Sequence, residues 1–146
     1  WFAAIGCGLI AGLYFAFSTV IMRSLGSIDP AQGMAAMNTI NVDIVRSVFL
    51  PLFLATTLAG LILAGIGLVR PDTPGAWPMV AGGLLYFFGM FIVTMVFNVP
   101  LNNALAADGT EQLWADYCRR WTAWNHVRTL ASAAAGALFV LALTQR

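Results

Sequence analysis

Charge is scarce in this sequence. Lysine is absent, and the 146 residues include seven arginines, six acidic residues and one histidine, so that only 9% are charged. A soluble globular domain carries roughly 25% charged residues, and the net charge of +1 offers no basic surface for nucleic acid. Together with a hydrophobic content of 60% and a mean hydropathy of +0.84, these absences indicate an integral membrane protein with no nucleic-acid partner.

The residues that usually bind metals are also rare. The two cysteines, Cys7 and Cys118, form no CxxC pair, and a disulfide framework is not expected. With one histidine and scattered acidic residues, no metal site is predicted. There is no glycine-rich phosphate loop, GxSxG elbow or haem CxxCH motif. No acidic residue lies within the hydrophobic runs, which argues against a proton-coupled carrier.

Four uncharged runs are close to or above the roughly 20 residues that cross a hydrocarbon core. The predicted spans are Trp1–Met22, Ser47–Val69, Ala76–Phe97 and Thr129–Gln145. The first run has no clear cleavage site, so a span is favoured over a signal peptide. We therefore predict an all-α integral membrane four-helix bundle, forming a single domain over residues 1–146. Pro51 is expected to kink the second span.

The connections between these spans differ in kind. The second is a short turn rich in proline and glycine, whereas the first and third each contain an amphipathic interfacial helix. The first of these helices is predicted to begin with Asp29 as N-cap and Pro30 at the first helical position, and to end at Arg46. Because four spans alternate in direction, both long connections emerge on one side of the membrane. The excess of arginine there favours the cytoplasm for that side.

Polar side chains that carry chemistry therefore converge at one end of the bundle. His126 is the only side chain whose ordinary pKa lies near neutrality, so it is the candidate proton acceptor. The alternative is a structural hydrogen bond at a helix start. Further candidates are amides that either stabilise a ligand oxyanion or cap and join the helices: Asn38, Asn41, Asn98, Asn102 and Asn125.

Arginine and tryptophan complete the set of candidates. Arg128, just inside the fourth span, is predicted to face a polar cavity and to bind an anionic or phenolic ligand. The alternatives are contact with lipid headgroups, or an ion pair with Asp43 or Asp116. Trp121 and Trp124 either form an aromatic surface for a planar ligand or belong to the interfacial belt of aromatic residues.

Three motifs carry a family resemblance. MNTIN at residues 37–41, NVPLNN at 98–103 and WTAWNHVRT at 121–129 resemble the anthrone oxygenase-like family of small four-span membrane proteins. The resemblance covers essentially the whole chain, and the second and third motifs are fairly specific. It implies oxidation of an anthrone to an anthraquinone by O₂ without an evident metal or flavin, so no cofactor is expected. It also implies a bacterial inner (plasma) membrane location.

The chemistry of such a reaction assigns roles to the candidates. An anthrone has an acidic methylene group, and its deprotonated form is an electron-rich phenolate that reacts directly with O₂. In this hypothesis His126 is the base, Arg128 neutralises the oxyanion and Trp121 stacks on the rings, while the oxyanion accepts hydrogen bonds from the catalytic amides Asn98, Asn102 and Asn125. Trp124, Asn38 and Asn41 are further substrate-binding candidates.

Other functions and partners stay open at this point. The expected partner is a hydrophobic small molecule or lipid that enters from the membrane. A homo-oligomer or a protein partner in a larger membrane complex is an alternative that ranks below the oxygenase interpretation. The protein is then either a non-catalytic accessory subunit, or a binding or transport module for an aromatic, quinone or lipid ligand.

Overall fold

The computed structural model describes residues 1–145 as an all-helical protein. Its five helices are α1 (Phe2–Leu25), α2 (Pro30–Arg46), α3 (Phe49–Val69), α4 (Ala76–Ala107) and α5 (Glu111–Thr144). All except α2 are long and apolar enough to cross a membrane. The predicted fold class is confirmed, and the chain is an integral membrane protein.

The four long helices form a closed ring around a shared core. Helix α1 packs against α3 and α5, and α4 packs against the same two helices. Helix α2 lies across one end of this ring, where it contacts α3, α5 and the terminal parts of α1 and α4. This end of the bundle is therefore closed by a short helix rather than open to water.

Local sequence signals explain where α2 and α3 begin. Asp29 is the N-cap of α2, and its carboxylate accepts hydrogen bonds from the backbone N–H groups of Ala31 at 3.0 Å and Gln32 at 3.2 Å, as predicted. Pro51 lies in the first turn of α3, where a backbone N–H has no partner within the helix. Pro51 therefore removes no helical hydrogen bond, and the kink expected there was wrong.

Helix α4 continues through Pro100, so that Asn98 and Asn102 lie one turn apart. The turns before this proline are π-helical, at Phe87–Ile92 and Thr94–Asn98. A π-helical turn pairs each carbonyl with an N–H five residues later instead of four. This wider turn accommodates a proline, which has no N–H to offer, and the helix is re-formed beyond it.

The third connection is shorter than predicted from the sequence. Its interfacial helix and the fourth span form one helix, Glu111–Thr144, which begins at Thr110 as N-cap. The Thr110 hydroxyl accepts a hydrogen bond from the Leu113 backbone N–H at 3.2 Å. No glycine or proline occurs between Glu111 and Gly136, so nothing interrupts the helical hydrogen bonds. One rigid helix therefore carries side chains from the interface into the core.

Candidate functional site

Arg128 lies at the centre of the polar end of the bundle. It shares the inward face of α5 with Trp121 and Asn125, at spacings of seven and three residues, and all three are buried. Its Nη2 donates to Asn125 Oδ1 at 2.6 Å, and its Nη1 lies 3.5 Å from Thr94 Oγ1. The guanidinium also lies over the rings of Tyr14 and Trp121, 4.1 and 5.0 Å from their centroids. Protein groups thus hold this cation in one position.

No carboxylate neutralises Arg128. Within residues 1–145 the ion pairs are those of Asp116 with Arg119 and Arg120, and Asp43 is exposed. Arg128 is itself only 3% exposed, which does not fit contact with lipid headgroups. Its Nε has no hydrogen-bond partner. A buried cation without a counter-ion is costly, and inside a membrane it is a mark of a functional site.

Two buried asparagines, Asn125 and Asn98, form hydrogen bonds that join neighbouring helices around Arg128. Asn125 Nδ2 donates to the Tyr14 carbonyl at 2.7 Å and to Ser18 Oγ at 2.6 Å, so its amide protons are already used within the protein. Asn98 Nδ2 donates to the Trp121 carbonyl at 3.3 Å, and its buried Oδ1 has no partner. Both amides join helices, and Asn125 additionally orients Arg128.

Asn102 and Asn41 present unused donors instead. Asn102 Oδ1 accepts hydrogen bonds from the Tyr117 hydroxyl at 2.9 Å and from Trp121 Nε1 at 3.0 Å. Its amide nitrogen donates to no group among the described residues. Asn41 lies beside Tyr117, and its buried Nδ2 also has no hydrogen-bond partner of good geometry. The N–H groups of these two amides and of Arg128 Nε therefore lack a hydrogen-bond partner of good geometry among the described residues, and those of Asn41 and Arg128 are themselves buried.

Asn41, Asn102 and Arg128 line a cavity of about 290 Å³ to which all five helices contribute. This volume is at the lower end of the range for small-molecule sites, about 300 to 1,000 Å³. Its polar wall is formed by Tyr14, Asn41, Thr94, Asn102, Trp121 and Arg128. The rest is apolar, formed by Ile44, Val45, Phe49, Leu50, Phe53, Met95 and Val99.

One edge of the cavity is formed by exposed apolar side chains. Val45 on α2 and Met95 on α4 both line the cavity and are about half exposed, at 53% and 48%. The arrangement is an apolar site in which hydrogen-bond donors and one cation are concentrated on a single wall.

Five of the nine predicted site residues do not line this cavity, and three of these five lie away from its wall. His126 is exposed and lines a separate groove between α1 and α5. Trp124 stacks on Phe97, with ring centroids 3.6 Å apart and planes at 10°. Asn38 is half-buried on α2, with an unpartnered Oδ1. The structure thus brings together Asn41, Asn102, Trp121 and Arg128 as lining residues, with Asn98 and Asn125 behind them.

Tyr14, Thr94 and Tyr117 also belong to this region, although their part in it was not predicted from the sequence. Tyr14 and Thr94 lie within the first and third spans, far from the polar motifs in sequence, and reach Arg128 only through the packing of α1 and α4. One signal was present, because Tyr14 is a tyrosine in the middle of an apolar span instead of at a membrane interface. Within the described part of the chain, no group of three histidine, cysteine or acidic side chains is placed to hold a metal ion.

Comparison with known protein families identifies the family of this chain. The family model described as anthrone oxygenase matches residues 41–138, which is 98 of the 146 residues. The matched region begins at a residue that lines the cavity, Asn41, and includes Asn98, Asn102, Trp121, Asn125 and Arg128. No curated protein and no solved structure matches the chain.

Proposed function

This chain belongs to the anthrone oxygenase family, and we propose that its cavity binds an anthrone-type phenolic substrate and promotes its oxidation by O₂. The observation that supports this most is the buried Arg128, which lines an apolar cavity without a counter-ion. A ligand that acquires negative charge on an oxygen supplies the missing partner. The two unused amide donors, on Asn41 and Asn102, suit the same oxygen or a neighbouring phenol.

The reaction divides into two parts. Loss of a proton from the methylene carbon to solvent water gives an enolate, whose oxygen is stabilised by Arg128 and the amide donors; solvent returns this proton to the peroxide oxygen in the second part. The electron-rich ring carbon then transfers electrons to O₂ and forms a carbon–oxygen bond. Loss of water from the resulting hydroperoxide leaves the quinone carbonyl. One anthrone and one O₂ thus give one anthraquinone and one water, with no other reductant.

In this proposal the other candidate residues hold the substrate, Arg128 or the helices in place. Trp121 is held by its hydrogen bond to Asn102 and presents its ring to the cavity, where it can stack on a planar substrate. Asn125 has no free N–H and acts by orienting Arg128. Asn98 fixes α4 against α5 through the Trp121 carbonyl.

The first test is O₂ consumption by the purified protein in mild detergent, with emodin anthrone or dithranol as substrate. We expect oxidation faster than the uncatalysed background, with one O₂ consumed for each quinone formed. Heat-denatured protein at the same concentration is the control for trace metals and detergent. Substrate binding without additional O₂ consumption would instead support a binding or transport module.

His126 gives a second prediction, because the structure separates it from the cavity. We expect His126→Ala to retain at least about half of the wild-type turnover, since its side chain is exposed on another face of α5. The measurement is initial O₂ consumption at saturating substrate. A loss of 100-fold or more, about the full contribution of a general base, would restore His126 as the proton acceptor and contradict the placement of the reaction in this cavity.

A further inference from the structure

A second polar site lies on the outside of the bundle, in the groove that contains His126. This α1–α5 groove has a volume of about 600 Å³, and its polar side chains are Ser18, Arg23, Ser27, Arg119, Thr122 and His126. It is separate from the cavity, with which it shares no lining residue. The family resemblance and the proposed reaction leave this groove without a role.

The groove is electropositive. Arg23 and Arg119 line it, and no acidic side chain does. Asp116 is the nearest carboxylate along the helix and pairs with both Arg119 and Arg120, at 2.6 and 3.4 Å. One carboxylate shared by two guanidinium groups leaves this group with a charge of +1, to which Arg23 adds another. The hydroxyl groups of Ser18 and Thr122 can donate further hydrogen bonds, whereas the Ser27 hydroxyl already donates to the Ser24 carbonyl at 2.8 Å and can only accept.

The groove also lies at the depth of a lipid headgroup. Arg23 is in the last turn of α1, and Arg119 is in the interfacial part of α5, two turns before His126. Beyond the groove, toward the middle of the bundle, both helices expose large apolar side chains: Phe15 on α1, and Leu130, one turn after His126, on α5. A ligand with an anionic headgroup and acyl chains fits an arginine-lined groove followed by exposed apolar side chains.

The deep end of the groove is connected to the interior cation. Ser18 lines the groove and accepts a hydrogen bond from Asn125 Nδ2 at 2.6 Å. Asn125 Oδ1 in turn accepts from Arg128 Nη2. A ligand bound in the groove therefore contacts α1 and α5 at the point where these two helices hold Arg128 in position.

We propose that the α1–α5 groove binds the headgroup of an anionic phospholipid. The phosphate oxygens accept hydrogen bonds from the Arg23 and Arg119 guanidinium groups, and the hydroxyls of Ser27 and Thr122 bind the polar remainder of the headgroup. The acyl chains lie along the exposed apolar faces of α1 and α5. A lipid is favoured over a soluble phosphate because the apolar surface below the arginines adds binding energy that only acyl chains can use.

The test is native mass spectrometry of the full-length chain in neutral detergent, titrated separately with phosphatidylglycerol and phosphatidylcholine. We expect one phosphatidylglycerol to bind more tightly than phosphatidylcholine. Arg23→Gln/Arg119→Gln should weaken that binding by about 30-fold, on the basis of two cationic contacts at the membrane surface. The control, Arg46→Gln/Arg70→Gln, removes the same charge from two exposed arginines outside the groove and should bind like the wild type.

Three results would overturn the proposal. Equal affinity for the two lipids would show that the groove does not recognise the headgroup charge. Equal loss in both double variants would show a general effect of net charge. Displacement of the lipid by millimolar inorganic phosphate would assign the site to a soluble anion. If Arg23→Gln/Arg119→Gln does not fold, Arg23→Lys/Arg119→Lys keeps the charge and should retain the lipid preference; loss of that preference would equally contradict the proposal.

Discussion

Arg128→Gln is expected to lower the rate of anthrone oxidation by about 10²- to 10³-fold, the usual effect of removing one preorganised oxyanion donor. The reason is the position of the guanidinium, which is buried, lacks a carboxylate partner and lines the cavity. Glutamine keeps an N–H donor, on a shorter side chain, but has no charge, so the enolate loses its counter-ion. The measurement is kcat from O₂ consumption, together with substrate affinity from equilibrium binding.

Two further variants make this prediction specific. Arg128→Lys keeps the charge but loses the planar group that reaches Asn125 and Thr94 while lying over Tyr14. It should therefore recover only part of the activity. Arg120→Gln removes an exposed arginine from the same helix and should behave like the wild type. Wild-type turnover in Arg128→Gln would exclude this residue as the stabiliser of the anion.

Asn125→Ala is expected to produce the largest loss of stability among single changes at this site. The substitution removes the acceptor at 2.6 Å from Arg128 and both hydrogen bonds to α1, at Tyr14 and Ser18. A hydrogen bond to a charged group contributes about 1.5 to 3 kcal/mol and a neutral one about 1 kcal/mol, so the three lost bonds together are expected to cost about 3 to 5 kcal/mol. The measurement is the free energy of unfolding in mixtures of sodium dodecyl sulfate and neutral detergent.

A double variant distinguishes the cost of the unpartnered Arg128 charge from the cost of lost packing. In Asn125→Leu/Arg128→Met the buried cation is absent, so the double variant should be more stable than Asn125→Ala despite having two substitutions. It should also be inactive. If Asn125→Ala unfolds like the wild type, the hydrogen bonds between α1 and α5 contribute little, and Arg128 does not depend on Asn125 for its position.

The architecture followed closely from the sequence, because the membrane restricts the choice of structure. Uncharged runs near 20 residues, separated by polar connections, predict helical spans, since an unpaired backbone group is too costly in lipid. The start of α2 was equally predictable from Asp29 and Pro30. The extent of α5 was not, because hydropathy marks where a helix enters the membrane and not where it begins.

The sequence predicted which residues lie at the polar end of the bundle, but not how their side chains are arranged there. Alternation of the spans places Asn41, Asn102 and Arg128 at one end of the bundle, and the structure brings them to one cavity. Helical spacing separates neighbours in sequence, however, and His126 is rotated by about 100° from Asn125 on the same helix. The contribution of Tyr14 depends on the packing of α1 against α5, which cannot be predicted from the sequence pattern of either helix alone.

The central claim is that the cavity stabilises a substrate in its anionic form, and the most direct measurement is an anaerobic spectroscopic titration with emodin anthrone at neutral pH. Without O₂, binding and ionisation are separated from oxidation. The wild type should produce the absorption spectrum of the ionised enol in proportion to bound ligand, and Arg128→Gln should bind the neutral ligand without that change. A neutral ligand bound to the wild type, or an ionised ligand in both proteins, would contradict the account.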